Sequence, residues 1–338
     1  MDTVIIVGGG VAGMQAALTL KELGATPVIL EKSDRLGGKL NLWDRLFPTQ
    51  TPAKEVLEPC LKAVSEAGIE VRLNTPVGKI SKDGKSVTLA DGTKLEAGGV
   101  VIASGFDLFD AKLKEEYGYG IYPNVITSAD LEAQFKSHQV TTVDGQVPKR
   151  VAILHCVGSR DEKVNQNHCS RVCCITGVKQ AMEIKQLYPD TEVFNFYMDM
   201  RMFGAGYEEI YRESQEKWHV NHVRGRISEV SRTLDGRLAL KTEDTLIGRP
   251  MRMEVDMLVL LVGMCSAQTN EALAESGGIA LRPSGFFDPK DSFAGNLRSA
   301  NPNVFFAGTA TAPKNVPESM NEGVTAAWQV YHNLKKQA

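Results

Sequence analysis

The chain has no apolar run long enough to cross a bilayer, no long basic stretch, and no charged leader ahead of its first apolar segment. Its longest apolar run, MLVLLVGM at 257–264, falls far short of the roughly 20 residues a membrane helix needs and reads as a buried parallel strand. A formal charge of -3 and a pI near 6.1 argue against a nucleic-acid surface. After Met1 the chain runs straight into TVIIVGGG, with no basic region or cleavage site of a secretory signal. These absences point to a cytoplasmic protein. A disulfide framework is also missing. Cys60 and Cys265 stand alone, while Cys156, Cys169, Cys173 and Cys174 crowd into one segment, a pattern that points to chemistry or metal binding.

At 338 residues the chain exceeds the size at which one core usually stops growing, so two domains are expected. The first forty residues carry the strongest local signal. An apolar strand over 3–7 is followed by GGGVAG and then by helical periodicity through Leu20 and Leu23. Gly8 permits the tight turn, and Gly10 lets the backbone approach a pyrophosphate at the helix N-terminus. Gly13 allows close helix–strand packing, and Val11 and Ala12 complete the turn. The next strand ends in Glu31, whose carboxylate suits adenosine ribose hydroxyls and disfavours a 2′-phosphate. Directly after it, KSDRLGGKL carries Gly37, Gly38 and Lys39. This run resembles the ExxxxxGG(K/R) segment of the flavoproteins with two dinucleotide-binding domains. The resemblance implies FAD, with Lys32, Gly38, Lys39 and Leu40 along the cofactor.

The same family implies further contacts across the chain. Val77 falls where the backbone meets adenine, and Ala103, Ser104 and Gly105 resemble the family's ATG segment. SVTLA and TKLEA around Asp91 and Gly92 read as a hairpin. Near the C-terminus, NPNVFFAGTATAPKNVPESMNEG supplies a strand, a glycine turn and a helix start. In thioredoxin-reductase-like flavoproteins that helix N-terminus reaches the flavin. Gly308, Thr309, Pro317, Glu318 and Ser319 would then line the cofactor, with Thr309 in place of the usual aspartate. Glu318 has a second reading, as a cap of its own helix. The expected fold is α/β, Rossmann-like and thioredoxin-reductase-like. Residues 1–125 and 255–338 form the FAD domain, and residues 126–254 form an inserted domain whose nucleotide site is replaced by a cysteine motif.

That inserted domain opens with VAILHCVGSRD. Gly158 is present, but no second GxGxxG follows, which predicts weak or no NAD(P)H binding, and the CxxC of thioredoxin reductases is absent too. The cysteines read C156-x12-C169-x3-C173-C174. Four thiolates suit zinc or a [4Fe–4S] cube, and spacing alone leaves reactive or inert thiols open. A helix starting near Ser170 would place Cys169 and Cys173 on one face, with Arg160 and Arg171 lowering thiol pKa values. His155 and His168 flank the motif as supporting donors or surface residues.

CVGSRD…NQNHCSRVCC on this fold resembles the A-type flavin subunit of heterodisulfide reductases and its short relatives in sulfur-oxidising prokaryotes. The resemblance spans essentially the whole chain. It implies a [4Fe–4S] cluster on Cys156, Cys169, Cys173 and Cys174 beside FAD, a homodimeric core, and iron–sulfur and disulfide-reductase-like partner subunits, through which a protein-bound sulfur carrier would be served. The chain lacks the ferredoxin-like CxxCxxCxxxCP run and the cysteine-bearing N-terminal extension of the methanogen form, so flavin-based bifurcation is not expected. No residue is assigned a catalytic role. The competing readings are a stand-alone NAD(P)H-dependent disulfide or ferredoxin reductase, and a redox-sensing or assembly flavoprotein without turnover.

Overall fold

A computed structural model describes residues 3–337, which fall into two compact units. The first comprises the described residues up to Asn41, Ala53–Asp107, and those from Cys265 on. Its centre is a five-stranded parallel sheet in the order Val304–Phe306, Gly99–Ile102, Thr3–Val7, Thr26–Leu30, Glu70–Arg72. Ile5, Val100, Val304 and Phe306 are fully buried in it, the near-continuous apolar pattern expected of strands covered on both faces. The first helix, Val11–Glu22, buries Ala12, Met14, Ala16, Ala17 and Leu20. These residues lie on more than one face because the helix is held between the sheet and the last helix, Val316–Gln337. The two helices approach closely because Gly323 has no side chain. A Cβ there would lie 2.3 Å from the Ala12 carbonyl oxygen. Strands Ser86–Leu89 and Lys94–Glu96 form the antiparallel hairpin read around Asp91 and Gly92, and Val77–Ile80 extends it.

The second unit comprises Leu42–Pro52 and Leu108–Met264. Its parallel sheet runs Val125–Thr127, Met257–Val262, Arg150–Val157, Glu192–Tyr197, Asn221–Arg224, and a three-stranded antiparallel sheet covers 229–255. These divisions differ from the expected 1–125, 126–254 and 255–338. The apolar strand Met257–Val262 pairs in parallel with both Arg150–Val157 and Val125–Thr127, so it lies inside this sheet and not in the FAD domain. Segment Leu42–Pro52 also belongs here. The Lys179 ammonium, almost wholly buried, donates to the Arg45 carbonyl at 3.0 Å and to the Glu132 carboxylate at 2.7 Å, and pairs with Glu183 at 2.9 Å. The Asp44 N–H completes the tie by donating to Glu132 at 2.8 Å. A buried charge needs such partners, and here they are what fix the segment. Among the described residues, no helix is long and apolar enough to cross a membrane.

Candidate functional site

In the first unit the expected nucleotide residues gather at the carboxyl ends of the parallel strands, the usual ligand edge of such sheets. Gly8, at φ +107, passes so near the neighbouring strand end that a Cβ would sit 2.4 Å from the Ala103 carbonyl oxygen. A Cβ on Gly13 would sit 2.0 Å from the Gly8 carbonyl oxygen. At Gly10, by contrast, a Cβ would meet nothing within 4 Å. Gly10 is the N-cap of the first helix, with no side-chain cap and no acidic residue in the following turn. Backbone N–H groups at an uncapped helix start facing open space suit a pyrophosphate. The donor set and the open cradle therefore fit a dinucleotide.

Glu31 is buried, and its carboxylate accepts from Gly9 N–H at 2.6 Å, Ser33 N–H at 2.9 Å and Ser33 Oγ–H at 2.7 Å. These bonds fix its orientation, and a carboxylate retains lone-pair capacity for a ribose hydroxyl. Gly38 has φ +53, and Lys39 lies half-buried 3.8 Å from Asp107 and over the Phe106 ring. Lys32 is exposed, whereas the Leu40 and Val77 side chains are packed in the core, so only their backbones remain for a ligand. Ala103 N–H donates to the Val7 carbonyl, Ser104 Oγ–H donates to Asn270 Oδ1 at 2.8 Å, and Gly105 at φ +75 faces open space.

At the last helix, Gly308 turns at φ +65 against Ala12, and Thr309 is buried. Val11 and Ala12 lie in the first turn of the first helix, and Pro317 in the exposed first turn of the last. Glu318 has a local task. Its carboxylate accepts from Asn315 N–H at 3.0 Å, while Asn315 Oδ1 accepts from Glu318 N–H at 2.8 Å, a reciprocal capping box. Ser319 Oγ–H donates to the Asn315 carbonyl. Lys314 was not legible in the sequence. Its ammonium, about 10% exposed, donates to the Gly308 carbonyl at 2.9 Å and Thr311 Oγ1 at 2.7 Å, and lies 3.3 Å from Glu322. It braces the glycine turn against the last helix, and nothing in the lone Lys of TAPKN announces this.

The cysteines lie in the second unit. Cys156, Cys173 and Cys174 are buried together, with Met198, Met200 and Met202 packed on them. Cys156 and Cys173 sulfurs are 3.7 Å apart, and Cys174 Sγ–H donates to the Asp199 carbonyl at 3.4 Å. Cys169 stands in the loop, half-buried, its sulfur accepting from Arg171 N–H at 3.3 Å. The expected helix from Ser170 does not form. Arg171 adopts φ +62 and breaks the run, so the helix spans Cys173–Leu187 and Cys169 lies outside it. Cys156, Arg160 and Asn165 also have positive φ, giving this short region four non-glycine residues in a disfavoured conformation.

The Cys156 and Cys173 sulfurs share a hydrogen bond. That hydrogen bond, together with nearby His155, lowers the Cys156 thiol to about 7, against the opposing effect of burial. The Cys174 thiol is lowered further, first by Cys173, with His155 adding, while Cys173 itself is pushed well up. Arg160 lies close enough to feel both Cys156 and Cys169 and pairs with Asp199 at 2.7 Å. Ser159 Oγ–H donates to the His168 carbonyl, Ser170 N–H to Ser159 Oγ, Met264 N–H to Ser170 Oγ, and His168 Nε2 meets the Met264 carbonyl. These bonds hold the two ends of the loop. Next to Cys156 in the same strand, His155 is buried with neither ring nitrogen hydrogen-bonded to a described residue. Above Gly158 lies the Phe109 ring, occupying the place a Cβ would take. Among the described residues, no three His, Cys, Asp or Glu side chains are drawn together at single-ion distances.

A paired nucleotide fold of this kind defines a class, and a family profile described as pyridine nucleotide-disulphide oxidoreductase matches residues 2–327. The chain belongs to that family of flavin-dependent oxidoreductases. It is similar to the A-type iron-sulfur subunit of the CoB–CoM heterodisulfide reductase of Methanocaldococcus jannaschii, with 31% identity covering 96% of this chain and 63% of the relative. It is also similar to the A-type subunit of the H2:CoB-CoM heterodisulfide, ferredoxin reductase of Methanothermobacter marburgensis, at 30% identity over the same shares. The chain thus spans under two thirds of these relatives' length. Among solved structures it resembles the thioredoxin reductase of T. acidophilum, with TM-score 0.69 and 19% identity over 98% of this chain and 99% of that one. Lactococcus lactis thioredoxin reductase gives TM-score 0.70 at 16% identity, covering 99% of each chain. Both likenesses speak to the fold alone.

Proposed function

We propose that the chain is the FAD-carrying electron-transfer subunit of a heterodisulfide-reductase-like complex in sulfur oxidation, with a [4Fe–4S] centre on Cys156, Cys169, Cys173 and Cys174. The observation that carries this reading is the buried gathering of Cys156, Cys173 and Cys174 at the end of a parallel strand. Thiols fit this group in kind, and a cube places each thiolate on its own iron, so the four need not surround one ion. When bound, FAD supplies two-electron chemistry and the cluster one-electron exchange.

The chain's own residues would do the rest. Gly10 and the helix start behind it receive a pyrophosphate, and Glu31 orients a ribose. Arg160 offsets negative charge on the thiolates. The Met198, Met200 and Met202 side chains keep water from the sulfurs. Phe109 over Gly158, with the missing second glycine fingerprint, disfavours a nicotinamide nucleotide there. Four strained backbone positions around the cysteines are the kind of cost that proteins accept at functional loops. The names of the relatives support iron–sulfur chemistry and membership of a multisubunit assembly. A homodimeric core and a cytoplasmic setting complete the reading.

Anaerobic purification with flavin, iron and sulfide analysis, and electron paramagnetic resonance after dithionite, tests it. FAD with a cubane signal that disappears in Cys173→Ser is the expected result. FAD without iron, even after reconstitution, overturns it and leaves the cysteines as thiols or zinc ligands.

A further inference from the structure

The last helix starts beside the Gly308 turn, and its other end, roughly 25 Å along, borders a small cavity. The cavity measures about 140 Å³ and is walled by that helix, by the loop over 290–302 and by the edge strand Val304–Phe306. Four basic side chains line it, Lys290 and Arg298 from the loop and His332 and Lys336 from the helix. No acidic side chain is among its described lining residues. A lining of one sign is unusual on a chain whose 41 acidic residues outnumber its 38 lysines and arginines.

Local structure accounts for only part of this. Cations suit the C-terminal turns of a helix, which explains Lys336 and also Lys335, whose ammonium lies 5.2 Å over the Tyr331 ring. Lys290 and Arg298 have no such reason to be here. Arg298 is tethered to the helix, its Nε–H donating to Gln329 Oε1 at 3.1 Å. That bond leaves the two terminal amino groups of the guanidinium for another acceptor. The neighbouring acids are engaged elsewhere. Asp288 pairs with Arg282 at 3.2 Å, and the Asp291 carboxylate accepts from Phe293 N–H at 2.9 Å and Ala294 N–H at 2.6 Å. Among the described residues, no carboxylate pairs with Lys290, Arg298 or Lys336. The floor of the cavity is fixed in advance. Ser299 and Asn301 are buried, with Ser299 Oγ–H donating to the Asn301 carbonyl and Asn301 Nδ2–H to the Lys82 and Gly277 carbonyls. Asn333 Nδ2–H donates to the Pro302 carbonyl at 3.1 Å and so joins the helix to the loop.

We propose that this cavity binds a small divalent tetrahedral oxyanion of the phosphate and sulfate class. The Arg298 fork would hold two of its oxygens, and Lys290 and Lys336 would supply the balancing charge. Size decides against larger anions. Pockets for drug-sized ligands begin at about 300 Å³, so a nucleotide does not fit, whereas a four-oxygen anion does. Bound there, the anion would relieve the repulsion among the cations and clamp the loop to the last helix. The cavity involves neither the cysteines nor the nucleotide cradle, so the site stands apart from the function proposed above.

Calorimetry and differential scanning fluorimetry on the whole purified chain test it, with sodium phosphate, sulfate and thiosulfate as titrants in a chloride buffer. Sodium chloride at matched ionic strength is the control. One anion per chain should bind saturably and raise the melting temperature as the site fills. Lys290→Gln/Arg298→Gln should weaken binding about tenfold or more. Arg298→Lys keeps the charge without the fork and should fall between the two. Lys335→Gln, outside the cavity, should bind as wild type, and flavin absorbance checks that each variant is folded. Preference for phosphate marks a phosphate ligand and preference for thiosulfate or sulfate a sulfur oxyanion, and either supports the site. A response that follows ionic strength alone overturns the proposal, as does binding undiminished in the double variant. Saturable binding is required of the wild-type chain itself, so its absence there overturns the proposal whether or not the variants fold.

Discussion

Replacing Gly323 by alanine puts two effects of opposite sign against each other. In a helix interior, alanine is favoured over glycine by about 1 kcal/mol, so propensity alone predicts stabilisation. The new Cβ, however, would stand 2.3 Å from the Ala12 carbonyl oxygen and 3.2 Å from Ala16 N. Those atoms are the two ends of one turn of the first helix, and backbone cannot rotate aside as a flexible side chain would. The helices must separate by about an ångström to reach ordinary contact. Overpacking of this kind costs roughly 1–3 kcal/mol, and a contact with backbone puts the cost at the upper end. The net result is a loss of about 1–2 kcal/mol. At roughly 2–4 °C per kcal/mol for large domains, melting should fall by several degrees. The displaced first helix begins at Gly10, so FAD should also be lost more readily on dilution. Thr325→Ala, on the exposed side of the same helix, is the control for propensity and should melt no lower than wild type. Differential scanning fluorimetry and flavin-release fluorescence read both. A Gly323→Ala protein that melts at or above wild type with its flavin retained would refute the close helix crossing.

Asp161 accepts from Arg226 at 2.6 Å and pairs with Lys114 at 2.7 Å. Burial works against its charged form, but Lys114 and Arg226 hold its carboxyl below the usual carboxylate range. Asp161→Asn should cost about 2–3 kcal/mol, the low side for a buried pair because Arg226 is partly in water, and should loosen the loop between Cys156 and Cys169. Denaturant melts and iron analysis check this, and an unchanged midpoint would count against it. Burial, with Glu132 adding, pushes Glu183 up to about 7 against the opposing pull of Lys179. The unfolded chain therefore releases this proton first. Stability should fall as pH rises from about 4.5 to 7, by at most about 1.4 kcal/mol per pH unit from this group. In Glu183→Gln that part of the slope should vanish, as urea melts across the range will tell. Asn315→Ala removes the side-chain half of the capping box and should cost about 1 kcal/mol, visible as a lower melting temperature.

What the sequence made legible follows from how local each signal is. The glycine fingerprint at 8–13 and Glu31 are short local patterns acting within a few residues, and the turn and helix start they form could be anticipated. The run MLVLLVGM states only that its strand is buried on both sides. Which sheet buries it is decided by its pairing with Val125–Thr127 and Arg150–Val157, and no residue within it encodes that choice. The attachment of Leu42–Pro52 was hidden for a related reason. It depends on Lys179, which in sequence looks like any helical lysine, finding Glu132 and Arg45 from distant segments. The start of the cysteine helix failed differently. The four-residue spacing of Cys169 and Cys173 suggested a start near Ser170, but Arg171 at φ +62 ends that possibility, and Cys169 stays in the loop, apart from the buried trio. On the proposed reading Cys169, on a strained loop outside the rigid helix, would be the ligand most easily moved, so Cys169→Ser should cost less bound iron than Cys173→Ser or Cys174→Ser in iron analysis of the purified chains.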